Sequence, residues 1–203
     1  QQAIREEDLP SNEEKFHIYT EARKLFIDAN YTAIGLDHFA KQGDALATAY
    51  LEKRLTRNFQ GYTVQSADDV LGFGVTAIGF LEGAFFQNAK TIEEYQSRIQ
   101  KKKLPLFRGL VLNREDHLRR FVIQELMCRF SIDKQLFAEM FRKPFDPHFA
   151  AERPEINRLI DEGLINETPH QLKATPVGEL FIRLIAAVFD EYNGSKIGFS
   201  SSI

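Results

Sequence analysis

The sequence predicts an α/β unit followed by a mainly α unit, on three observations. A capped helix leads at once into a short apolar strand near residue 31, the order expected of a helix-covered, buried parallel sheet. A glycine-spaced apolar run over 70–81 reads as a second buried strand. From Asn113 onward one helical apolar period follows another. Residues 104–112, with Pro105 and Gly109, read as the connector, so the expected units are 1–112 and 113–203.

Composition narrows the function classes. The 203 residues are 27% charged and 43% hydrophobic, within the ordinary globular range and enough to bury a core. A formal net charge of -3 provides no global basic field to gather nucleic acid or an anionic membrane. No apolar run reaches the roughly 18 residues a membrane-spanning helix needs. The acidic start, residues 1–8, has no apolar core and is not a signal peptide, and the missing initiator Met points to a processed or excised piece. Cys128 is the only cysteine, which excludes an internal disulfide or an all-cysteine metal site and fits a cytoplasmic setting.

In chain order, Ser11 to Glu14 form a capping box ahead of a helix carrying Phe16, Tyr19, Ala22, Phe26 and Ala29 on one side. Asn30 suits the left-handed position that ends it. The strand over 31–36 ends in Asp37 and His38. Ligands sit beyond the carboxyl ends of parallel strands, so this pair is a candidate pocket element. Equally, Asp37 caps a turn and His38 is a hydrogen-bonded structural histidine. Asp44 opens a helix with Leu46, Ala47, Tyr50 and Leu51 inward, ending near Arg54.

Residues 57–78 are the most distinctive stretch. A polar, aromatic-flanked turn, Asn58-Phe59-Gln60-Gly61-Tyr62, precedes the run that carries Gly72, Gly74 and Gly79. Glycines in a strand pattern mark a bend, a close backbone approach or a ligand, so the stretch is expected to line a small-molecule site. Residues 82–88 read as an aromatic loop. Thr91 to Glu94 form a second capping box, on a helix with Ile92, Tyr95 and Ile99 inward. Lys101 to Lys103 complement that helix's dipole and need no nucleic acid.

Asn113 caps the next helix, whose Leu118, Val122 and Leu126 form a wide stripe containing a buried, inert Cys128. A helix over 133–142 follows, broken by Pro144, Asp146 and Pro147. A third over 154–162 stops at Gly163, and a hairpin over 164–174 leads to a last helix capped by Thr175. Helices followed by a hairpin give a winged-helix pattern. Five acids against two bases over 152–167 argue for a packing or lid module rather than DNA binding. The end beyond Tyr192 is Gly/Ser-rich.

Three blocks carry a family resemblance: Gly35-Leu36-Asp37-His38-Phe39-Ala40, residues 55–63 around Arg57-Asn58-Phe59-Gln60-Gly61-Tyr62, and residues 71–78. They resemble the C-terminal half of oxygen-independent coproporphyrinogen III oxidase, a radical S-adenosylmethionine family. Asp161 to Leu164, Phe189-Asp190 and residues 199–203 also look like its C-terminal domain. The resemblance implies the last strands and helices of a partial (β/α) barrel plus a winged-helix-like domain. It further implies a 4Fe-4S cluster held by a CxxxCxxC motif, S-adenosylmethionine cleavage, and oxidative decarboxylation of two propionates of coproporphyrinogen III. Gln60 matches a family position near S-adenosylmethionine, and Ile78 one that packs on it; Gln60 tying down its own loop and Ile78 as plain core remain the alternatives. Asp37 and His38 are further pocket candidates. Arg57 addresses a substrate carboxylate or makes an ordinary salt bridge.

The sequence departs from the family in having no CxxxCxxC. It is therefore expected to be a C-terminal piece, inactive alone, with no nucleic-acid or membrane partner and a tendency to self-associate through exposed strand edges. The opposing expectation is a stand-alone winged-helix module that binds protein or nucleic acid.

Overall fold

The computed structural model describes residues 5–192; the expectations for 193–203 lie outside the described residues. Helix α1 (Asn12–Asp28) starts at the expected capping box. Ser11 Oγ accepts from the Glu14 amide at 3.2 Å and the Glu14 carboxylate takes the Ser11 amide at 2.8 Å. Asn30 adopts φ 62° beyond its end. The expected inward face is only partly covered: Phe16 stacks on Phe181 and Phe26 on Phe39, yet both stay exposed.

The parallel sheet does not form. Strand β1 (Tyr31–Ile34) pairs antiparallel with β2 (His38–Lys41), Ile34 opposite His38. Gly35 at φ 58° opens a three-residue turn that returns the chain directly, leaving no room for a crossover helix. Asp37 and His38 therefore lie at a hairpin turn, not past a parallel strand end. All strand pairings among the described residues are antiparallel, in small separate sheets with no closed barrel.

Asp44 caps α2 (Ala45–Leu51), accepting from the Leu46 amide at 2.8 Å. Ala47 is buried, but Leu51 is exposed, because the helix ends there and the chain turns away at Lys53, φ 57°. Strands β3 (Thr56–Asn58) and β4 (Gly61–Thr63) form a hairpin around Phe59 and Gln60.

The strand expected over 70–81 is mostly a loop. Val70 bridges Phe80, residues 71–77 run free of any ladder, and β5 (Ile78–Leu81) begins only at Ile78. The expected aromatic loop after it is strand β6 (Ala84–Asn88). Glu82 and Gly83, φ 47° and 78°, make the two-residue turn between them, and such a turn matches strand twist. On α3 (Ile92–Gln100), Thr91 Oγ caps the Glu94 amide, but the Glu94 carboxylate bonds Arg98. Ile92 and Ile99, expected inward, are exposed. The expected connector is strand β7 (Leu106–Val111), giving the sheet order β5-β6-β7.

Asn113 and Asp116 form a capping box on α4 (Arg114–Arg129). Its Leu118, Val122 and Leu126 enter the main core with Phe137, Phe149, Ile156, Leu159 and Phe189. There follow β8 (Ser131–Asp133), α5 (Lys134–Phe141) and α6 (Phe145–His148). Helix α5 ends ahead of Pro144 as expected, while Asp146 and Pro147 lie inside the further short helix α6, where a first-turn proline loses no helical bond. Helix α7 (Arg153–Asp161) stops at Gly163, φ 71°. Strands β9 (Ile165–Glu167) and β10 (Gln171–Ala174) form the expected hairpin, and β8 joins it in the order β8-β10-β9. The expected last helix is split into α8 (Pro176–Leu180) and α9 (Ile182–Ala187) at Phe181. No helix among the described residues is long and apolar enough to cross a membrane.

Candidate functional site

Tyr62 organises the first half of the site. Its ring fills the space a side chain at Gly35 would need: a Cβ there would lie 2.0 Å from the ring. The hydroxyl accepts from the Leu36 amide at 3.1 Å and donates to the Met127 carbonyl at 2.9 Å. One side chain thus ties both N-terminal hairpins to α4. Burial pushes its phenol up to about 12, and burial likewise pushes the neighbouring Cys128 thiol up to about 12.

Three sequence candidates gather around this tyrosine. His38 sets its edge on the Tyr62 ring at 5.1 Å, and its Nδ1 lies 2.7 Å from Asp37 Oδ1. The Arg57 guanidinium lies 5.6 Å from the same ring. Arg57 has no carboxylate partner among the described residues. Asp37 and His38 bond each other.

Gln60 occupies the β3–β4 turn. Asn58 Oδ1 accepts its backbone amide at 2.8 Å, while its side-chain amide has no partner among the described residues. The preceding Phe59 meets Phe85 edge-on at 5.2 Å, joining the turn to the sheet. By register, Ile78, Phe80, Phe85, Gln87, Arg108 and Leu110 share one sheet face. Gln60 and Ile78 therefore flank the Phe59–Phe85–Phe80 cluster without bonding each other. Ile78 is half-buried, with a face left open rather than sealed in the core.

Two residues of the site escape sequence reasoning. Asn88 is 3% exposed and donates to the Gly72 carbonyl at 3.0 Å and the Gly74 carbonyl at 2.9 Å. It holds the glycine loop against β6; Gly72 is required because a Cβ there would lie 2.8 Å from the Ile78 carbonyl oxygen. An asparagine closing an aromatic strand was the only signal. Arg120 on α4 places its guanidinium 4.3 Å from the Phe80 ring centre and 5.3 Å from that of Phe85. Nothing in the sequence separates it from Arg119, which pairs with Glu115 and Glu152.

An iron–sulfur cluster does not fit these residues. The single thiol is buried and holds its proton, and no group of three His, Cys, Asp or Glu among the described residues could hold a metal. The Gln60 side-chain amide, unpartnered among the described residues, stands beside Phe59, whose ring meets Phe85.

The β3–β4 hairpin packs on α4, and α4 packs on α9 and β8. Residues 112–181 match the HemN C-terminal domain family. The chain is 38% identical to the oxygen-independent coproporphyrinogen III oxidase of Synechocystis over 97% of its length, covering 43% of that protein. It is 41% identical to the enzyme of that name from Thermostichus vulcanus, covering 96% of this chain and 61% of that one. A solved structure of Escherichia coli coproporphyrinogen III oxidase (HemN), described as a radical SAM enzyme, superposes with a TM-score of 0.90 at 36% identity, over 95% of this chain and 44% of that one. Over nearly its whole length the chain is similar to the C-terminal half of these enzymes, and it spans about half the length of the relatives it matches.

Proposed function

We propose that the chain supplies the C-terminal half of an oxygen-independent coproporphyrinogen III oxidase, which converts two propionates of coproporphyrinogen III to vinyl groups and yields protoporphyrinogen IX. The observation that carries this is sequence identity maintained over nearly the whole chain together with the TM-score of 0.90. Bound S-adenosylmethionine would supply the hydrogen-abstracting chemistry. This chain's residues bind and orient: the Gln60 amide addresses a polar end, Ile78 supplies apolar surface for a nucleoside, and Arg57 faces a substrate carboxylate. Asp37 and His38 brace Tyr62 at the rim. The cluster ligands belong to another part of the enzyme, since this sequence has one cysteine.

The division at 112/113 into a barrel-derived unit and a winged-helix-like unit belongs to the same reading. The Asn113 cap and the family match beginning at residue 112 support it, as does the helix–strand order from α4 to β10. A DNA-binding role for α7 is disfavoured: Arg158 bonds Glu155 and Glu162, and Arg153 bonds Glu167, leaving neither base for phosphate. A lid or packing role and a cytoplasmic setting complete the proposal.

The test is a chimera in which this chain replaces the matching portion of the Escherichia coli enzyme. It should form protoporphyrinogen IX anaerobically, and Gln60→Ala should raise the KM for S-adenosylmethionine. A folded, cluster-loaded chimera that neither binds S-adenosylmethionine nor turns over would sink the proposal.

A further inference from the structure

Arg120 is in an unusual position for a guanidinium. It projects from α4 over Phe80 and Phe85, whose rings lie 4.7 Å apart. Half-burial lowers its proton affinity, yet no carboxylate or carbonyl among the described residues accepts from it. The nearby acids of its own helix are committed: Glu115 to Arg119 and His148, and Asp116 to the Asn113 amide and the Tyr192 hydroxyl. A guanidinium has five N–H donors and accepts nothing, so stacking on rings satisfies its faces and leaves its edge open.

A second arginine shares the surface. Arg108 lies on the same sheet face, opposite Gln87, whose amide oxygen takes its Nε at 3.0 Å and leaves the two terminal nitrogens uncommitted. Gln87 is two residues along β6 from Phe85, about 7 Å by strand rise. Two guanidiniums thus stand on one apolar aromatic floor, which Phe59 extends toward Gln60. This arrangement fits an apolar ring body bearing carboxylate arms at two points.

We propose that Arg120, seated on Phe80 and Phe85, receives a carboxylate arm of a cyclic polycarboxylate ligand, with Arg108 receiving a second arm across the same face. This deepens the oxidase reading, on which its substrate class rests, by locating the arms of a tetrapyrrole on this half of the enzyme. A bidentate guanidinium–carboxylate pair fixes both position and orientation, which the aromatic floor alone does not.

The probe is coproporphyrin III, a stable tetracarboxylate, titrated into the 203-residue chain by fluorescence, with its tetramethyl ester as the uncharged comparison. The acid should bind and the ester bind at least about tenfold more weakly, the loss expected of charge-assisted bonds. Arg120→Gln should weaken acid binding by about tenfold and leave ester binding unchanged, while Arg120→Lys recovers part of the loss. Arg108→Gln should act in the same direction. Matching thermal melts exclude unfolding as the cause. Absence of binding, equal affinity for acid and ester, or an Arg120→Gln variant that binds like the parent would each overturn the proposal. The two readings fail separately: an inactive chimera with intact Arg120-dependent acid binding removes the oxidase assignment, whereas an active chimera with unaffected variants removes this site alone.

Discussion

Tyr62 shows how one hydroxyl positions a whole rim. It is 9% exposed, so its two bonds to Leu36 and Met127 form away from competing water. Tyr62→Phe keeps the ring but leaves a buried amide and carbonyl short of a partner. The expected cost is about 1–3 kcal/mol, read as a lower urea midpoint with unchanged slope. The same burial makes stability fall at high pH. Both Tyr62 and Cys128 are pushed up to about 12, from ordinary values of 10.0 and 9.0. Between pH 9 and 12 the unfolded chain therefore loses protons that the folded chain retains. Unfolding is then favoured by on the order of 1 kcal/mol per pH unit for each group once the pH exceeds its unfolded value. The thermal midpoint should decline above pH 9, and Cys128→Ala should flatten the first part of that decline; a flat profile to pH 11 would contradict it.

At the scale of elements, the glycine loop over 71–77 is held by bonds that no local pattern announces. Asn88 reaches two of its carbonyls, Gln87 Nε2 donates to the Thr76 carbonyl at 3.1 Å, and the Gly74 amide bonds Tyr95 at 3.2 Å. Asn88→Ala removes two of these from a buried position. It should cost about 1–3 kcal/mol and speed hydrogen exchange over 71–78, with little change at α4; uniform exchange across the chain would argue against a local role. The elements fixed by side-chain chemistry were legible in the sequence: Ser11, Asp44, Asn113 and Thr175 all cap where expected. The strands were not. Gly35 and the Glu82-Gly83 pair set hairpin turns in place of a crossover and a loop, and neither carries the Asn-Gly or Asp-Gly signature that betrays such turns. The proposed site divides in the same way. Gln60 and Ile78 lie in recognisable blocks, but Arg120 and Arg108 reach their face only through a tertiary arrangement of α4 over an antiparallel sheet.

At the scale of the whole molecule, exposed apolar surface is unevenly spread between the proposed units. The helical unit closes on a core of fully buried Phe137, Phe149, Phe189, Ile156 and Leu159. The N-terminal unit instead leaves Leu71, Phe73, Leu104, Leu110 and Val111 exposed, along with Leu25 and Leu51. Strand β7 is an edge of its sheet among the described residues, and its positions from Phe107 to Val111 are all exposed. Unpaired backbone beside exposed apolar side chains is a template for strand addition. We therefore predict that the 203-residue chain self-associates in a concentration-dependent way, visible in sedimentation velocity. Val111→Lys, on the sheet face opposite Arg108, should shift it toward monomer, because a charge on an edge strand opposes pairing. The helical unit's melting should be unaffected, since Val111 takes no part in its core. A chain that stays monomeric at high concentration would contradict the prediction, and a Val111→Lys variant that associates like the parent would place the association outside β7.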